Sequence, residues 1–198
     1  MMSATRGEAT RQRILDSGLD LVSQEGFAGV SIGRLAERTG LSKSGLFAHF
    51  GSRETLQLAL IEHASEFARE ALEPAFTAEE GLPRLRSYFE HQLGWAERAG
   101  LAGGCPFVGA ATEFDDVEGP IRDYVFASLE QGIAMCETLI LEAVALGHLS
   151  DTVNATYLAW QLLGIYTSHH TMQRLMRDAG ADEMAKQGFE TLIEPYKL

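Results

Sequence analysis

Apolar positions along this chain recur at spacings of three and four, and nowhere do they alternate as a strand would require. Ile14, Leu15, Gly18, Leu19, Leu21 and Val22 make a broad stripe that predicts a first helix over residues 6–25, stopped at Gly26-Phe27, with Phe27 expected to pack beneath the next two helices. Ile32, Leu35 and Ala36 share one face of a short second helix that Ser31 can cap and Thr39-Gly40 ends. Ser42 caps a third, whose apolar face is expected to be Leu46, Phe47 and Phe50, and Gly51-Ser52 closes it and caps the next. Longer helices are expected from Arg53 to Leu72, where Pro74 follows, and from Leu82 to Ala99. After the turn at Gly100–Pro106 come a short helix to Phe114, a long one from Ile121 to Leu146, and two last ones, Thr152–Arg177 and Asp182–Ile193. With no repeat, no low-complexity segment and no strand pattern, the fold class is all-α. The expected domains are residues 1–52 and 53–198.

Two short helices joined by a turn of three or four residues containing glycine form a helix-turn-helix, whose second helix enters the DNA major groove. The recognition helix is then Ser42–Phe50. The run Ser42-Lys-Ser-Gly-Leu-Phe-Ala-His-Phe50, followed by Gly51-Ser-Arg-Glu-Thr-Leu56, resembles the signature of the TetR family of bacterial one-component repressors. The resemblance is specific over about the first 60 residues, and over the rest only length and helical plan agree.

That resemblance implies a DNA-contacting set of Ser31, Arg34, Ser42, Lys43, Ser44, Gly45, Phe47, His49 and Arg53. Lys43 and Ser44, at the start of the recognition helix, are placed for base edges, whereas Ser31, His49 and Arg53 suit phosphates. Arg6, Arg11 and Arg13 are further candidates for the backbone. Two residues depart from the family pattern. Phe47 stands where a tyrosine hydroxyl usually meets phosphate, and Gly45 replaces a side chain at a helix-interior cost of about 1 kcal/mol relative to alanine.

Charge changes the picture only when divided along the chain. The total is −12, yet residues 1–53 hold seven basic against five acidic side chains, so the excess of acid lies beyond them. Such asymmetry suits a protein whose N-terminal end alone meets phosphate. The first residues lack the apolar core of a signal peptide, and the nearly apolar run Tyr157–Tyr166 is too short to span a bilayer. A cytoplasmic protein without a membrane partner is expected.

Other motifs weaken on inspection. Gly29-Val-Ser31-Ile-Gly33 matches a nucleophile elbow but lacks the strand that motif needs, and Asn154-Ala-Thr156 is a chance glycosylation match. His169 and His170 point about 100° apart on a helix, and no Glu-x-x-His or His-x-x-x-His pair occurs, so no metal, cofactor or catalytic site is expected. Cys105, directly before Pro106 at a helix start, sits where a thiolate is favoured and is a candidate redox thiol, beside its plainer role as a buried turn residue.

The C-terminal aromatics suggest a chamber between helices. Tyr88, Trp95, Phe107, Tyr124 and Tyr166 are the expected lining, favouring a flat or apolar small-molecule effector. Tyr157, Leu158, Trp160, Leu162, Leu163, Ile165 and Tyr166 are apolar on more than one face, which calls for a second copy and a homodimer through the last two helices. The expected function is a ligand-responsive repressor of an operator in double-stranded DNA, and not an enzyme. The rival, a catalytic helical domain retaining the motif as scaffold, has no catalytic constellation to support it.

Overall fold

The computed structural model describes residues 6–198, and among these the only extended pairing is one isolated antiparallel bridge, Leu149 to Lys197. The described residues form ten α-helices: α1 Arg6–Gly29, α2 Ile32–Thr39, α3 Lys43–Phe50, α4 Arg53–Leu72, α5 Leu82–Gln92, α6 Trp95–Arg98, α7 Pro106–Glu113, α8 Pro120–Ala145, α9 Ala155–Arg174 and α10 Ala181–Ile193. α1 is interrupted at Gly26, whose φ of 72° only glycine adopts readily. The helix expected over Leu82–Ala99 is two helices. Gly94, at φ 65°, breaks it. The expected Thr152–Arg177 helix is shorter, because Asn154 accepts the Tyr157 N–H at 2.9 Å and so caps α9 there.

The chain divides into two compact units, one holding residues up to Ala68 together with Ala96–Phe126, the other Arg69–Trp95 and Ala127–Leu198. In the first, α1, α2, α3 and α4 bury Ile14, Leu19, Phe27, Leu35, Leu46, Leu56 and Leu60. α1 and α4 come so close at Gly18 that a Cβ there would stand 2.6 Å from Leu60 Cδ2.

Residues 52 and 53 lie inside this unit, and the segment around α7 joins it through bonds to α1. Ala102 N donates to Asp20 Oδ1 at 2.9 Å, Gly103 N to Ser23 Oγ at 3.0 Å and Gly104 N to the Ser23 carbonyl at 2.9 Å. Any side chain at Gly103 would collide with that carbonyl. Beyond the Gly26 break, Phe27 N donates to Glu113 Oε2 at 2.8 Å, and the Phe27 and Phe114 rings meet edge-on at 5.7 Å.

The second unit is built on Leu85, Phe89, Leu139, Ile140, Leu158, Leu162, Phe189 and Ile193, with Phe89 and Phe189 stacked at 4.9 Å. Gly81 has no side chain to cap α5, so Glu142 and His148 accept the Gly81 and Leu82 N–H groups at 3.1 Å each. α8 is long and apolar enough, by length and composition, to cross a membrane. Its Cys136, Leu139, Ile140 and Ala143 belong to this core.

Candidate nucleic-acid interface

α3 is fixed from both ends and from beneath. Ser42 Oγ accepts the Gly45 N–H at 3.0 Å, and Gly51 ends the helix with φ 71°. Leu46 and Phe50 point into the core, and the Arg11 guanidinium lies 5.3 Å over the Phe50 ring. Phe47 is not on that buried face, contrary to the sequence expectation, and is 53% exposed. The reason is angular: Leu46 and Phe50 are four residues apart on one side, and Phe47 is turned about 100° from Leu46.

The implied contact residues fall into two groups. Lys43, Ser44 and Phe47 are open, as is Ala48, one position beyond Phe47 and four beyond Ser44, which the sequence pattern does not single out. Lys43 folds back so that Nζ lies 3.7 Å from where a Gly33 Cβ would be, and Ser44 Oγ lies 3.2 Å from Ser42 Oγ. The others make contacts within the protein, although Arg34, Ser42 and Arg53 are exposed as well. Ser31 Oγ accepts the Arg34 N–H at 3.2 Å as the cap of α2. The Arg34 guanidinium pairs with Glu25 through both nitrogens and donates to the Gly29 carbonyl at 3.2 Å. That pairing holds Glu25 below the usual carboxylate range and raises Arg34.

Arg53 Nη2 donates to the Ala28 carbonyl at 3.2 Å, while buried Gln57 donates to that of Phe27 at 2.9 Å. Both orient the end of α1. His49 is half-buried, its ring 6.3 Å from that of Phe50, and a Cβ added at Gly45 would stand 3.1 Å from Ser42 Oγ. Arg38 pairs with Asp20, the same carboxylate that receives Ala102 N. The side chain of Arg6 lies outside the described residues.

The five aromatics expected to line a chamber are distributed over both units. In the second, Trp95 Nε1 donates to Tyr166 OH at 3.1 Å, and Tyr88 is buried with its ring 5.8 Å from Phe76 and its hydroxyl pushed up to about 12 by burial. In the first, Phe107 is half-buried on α7 and Tyr124 OH donates to Ser65 Oγ at 3.0 Å. Cys105 precedes α7 and is only 7% exposed, and neither it nor Cys136 forms a disulfide. A groove of about 770 Å³ runs between α9 and α10, lined by Trp160, Gly164, Ile165, Met172, Met184 and Gly188 among others, and by none of the five aromatics.

An eight-residue helix, capped and half-buried, with a lysine and a serine at its open start, follows α2 across a turn at left-handed Gly40 (φ 69°). Residues 14–60 match the model of bacterial regulatory proteins of the tetR family, and residues 81–189, more than half the chain, match the tetracyclin repressor-like C-terminal domain. The chain belongs to the TetR family. It is a DNA-binding transcriptional regulator and not an enzyme.

Among TetR-family relatives, it is 39% identical over 62 residues to the repressor AcnR of Corynebacterium glutamicum, a stretch covering 30% of this chain and 33% of AcnR. To the repressor NemR of Escherichia coli K12 it is 24% identical over 140 residues, covering 70% of this chain and 68% of NemR. A TetR transcriptional regulator from Chloroflexus aurantiacus superposes with a TM-score of 0.90 at 28% identity, covering 98% of each chain. AibR, solved in complex with isovaleryl coenzyme A and operator DNA, shares the fold with a TM-score of 0.74 at 19% identity, over 93% of this chain and 98% of its own.

Proposed function

We propose that this TetR-family regulator is a cytoplasmic repressor that holds its operator as a homodimer through α3 and lets go when a small apolar or aromatic effector occupies the C-terminal helices. The observation that carries the operator reading is the open face of α3, where Lys43, Ser44, Phe47 and Ala48 are exposed while Leu46 and Phe50 anchor the helix. Lys43 and Ser44 then address base edges at the N-terminal end of the helix, and the phosphate contacts fall to the flanking bases and cap residues. AibR, of the same fold, was solved with an acyl thioester and operator DNA together, which supports pairing a small effector with an operator here.

The dimer is assigned to α9 and α10, whose exposed Tyr157, Trp160, Met172 and Met184 form an apolar face beyond what isolated surface residues require. Such a dimer presents two recognition helices to a pseudo-palindrome. Effector binding acts by differential affinity for two conformations, transmitted along α4 and through the 102–104 segment held on α1. Effector contacts are assigned to Tyr88, Trp95 and Tyr166, which share the second unit. No membrane is involved.

Fluorescence anisotropy of a duplex from the chain's own upstream intergenic region, at two salt concentrations and against scrambled DNA, tests the reading. Tight, sequence-dependent binding by two protomers is the expected result, and equal weak binding to both duplexes at moderate salt overturns it.

A further inference from the structure

Four residues of α3 are open to solvent, Lys43, Ser44, Phe47 and Ala48, and only the first two can hydrogen-bond. Past its first turn the open face of α3 is hydrocarbon, with His49 half-buried beside Phe50. A lone exposed ring on an arbitrary surface needs no explanation. This ring stands four residues after Lys43, one helical turn on along the helix that meets base edges.

We propose that Phe47, flanked by Ala48, reads thymine C5-methyl groups in the major groove, an inference that rests on the operator-binding reading above. Among the groups that base pairs present in that groove, the thymine methyl is the apolar one. A phenyl ring placed against guanine O6 and N7, adenine N6 or cytosine N4 would leave those donors and acceptors dehydrated and unpaired, which disfavours the wrong base. Against a thymine methyl it loses nothing and buries hydrocarbon on both sides. The ring carries no hydroxyl or charge for a phosphate, so its role lies in selectivity and not in salt-dependent affinity. Lys43 and Ser44 supply the polar half of the code at the helix start, and Phe47 supplies the apolar half a turn later.

The test begins with selection of a binding site from a randomised duplex library by the full-length protein. Each thymine of the selected duplex is then replaced singly by deoxyuridine, which removes only the methyl group, and affinity is read by anisotropy at fixed salt. One or two thymines per half-site should lose about fourfold in affinity, the factor that one buried methyl contributes. Phe47→Ala should be indifferent to deoxyuridine at those positions with an unchanged salt slope, and Phe47→Leu should keep some of the sensitivity. Phe47 is exposed, so neither variant removes core packing. A selected site that tolerates deoxyuridine everywhere, or a Phe47→Ala protein as sensitive as the parent, overturns the methyl reading alone. Failure of any sequence to be enriched overturns it together with the operator reading.

Discussion

The open face of α3 and the open face of α9 and α10 are both apolar where solvent meets them, but they are apolar in different amounts. α3 shows one phenyl ring among a lysine, a serine and an alanine. α9 shows Tyr157 and Trp160 stacked at 6.1 Å with Trp160 64% exposed, followed along the helix by Met172, and α10 adds Met184. A surface that will receive polar base edges keeps its hydrocarbon to single contacts, because every other group across the interface needs a hydrogen-bond partner. An interface between two copies of one chain has no such limit, and its core excludes charge in favour of aromatics and methionine.

The largest expected effect comes from charging the denser face. Trp160→Asp should raise the dimer dissociation constant by about 30-fold or more, as loss of a central tryptophan anchor does, while Phe47→Asp leaves assembly untouched. Sedimentation over a concentration series reads both, and an intact Trp160→Asp dimer would move the interface elsewhere.

A finer comparison uses two glycines, one on each face. A Cβ at Gly164 meets nothing within 4 Å, and one at Gly45 meets only Ser42 Oγ at 3.1 Å. Alanine at either place adds about 0.5–1 kcal/mol to its helix. Denaturant unfolding of dilute protein should show that gain for Gly164→Ala, less the Ser42 adjustment for Gly45→Ala. Against partners the two should diverge: Gly164→Ala weakens the dimer and spares operator affinity per dimer, and Gly45→Ala does the reverse. If both leave both equilibria unchanged, neither glycine serves a close approach.

The smallest effects are in pH. Arg86 Nε donates to Glu190 Oε1 at 2.6 Å and Lys197 Nζ to Oε2 at 3.0 Å, and the Arg86 hydrogen bond is the main cause holding Glu190 below its ordinary 4.5. Folded Glu190 binds its proton less readily than the unfolded chain, so its contribution is complete above about pH 4.5 and is lost as pH falls through the lower folded value. His170, on α9, is lowered from 6.5 chiefly by burial and then by Arg174 and His169. The fold favours its neutral form, so stability is full above pH 6.5 and declines below it. Urea midpoints between pH 7.5 and 2.5 should show both limbs. Glu190→Gln should shrink the acid one, to which Glu25 also contributes, and His170→Gln should shrink the one just below pH 6.5; a limb unchanged in its variant would refute that assignment.

What was legible in the sequence was local. Ser31, Gly40, Ser42 and Gly51 each cap or break a helix within five residues of themselves, so the helix-turn-helix could be drawn residue by residue. Phe47 was misplaced on the buried face, since its chemistry is apolar and only the angle from Leu46 and Phe50 turns it outward. Arg34 and Arg53 look like any surface arginine until Glu25 and the Ala28 carbonyl, nine and 25 residues away, take their donors. Nor does composition say which unit an aromatic joins: Phe107 and Tyr124 belong to the first, Tyr88, Trp95 and Tyr166 to the second.

The hydrogen bonds from residues 102–104 to Asp20 and Ser23, and from Phe27 N to Glu113, span 80 residues or more of chain. During synthesis, therefore, α1 to α4 emerge from the ribosome well before the groups that complete their unit. At roughly 5–20 residues per second, the nascent DNA reader waits several seconds with the Phe27 N–H uncapped and the Phe27 ring without Phe114. The region that recognises DNA is among the first to be made, yet it is finished only when α7 has followed it out.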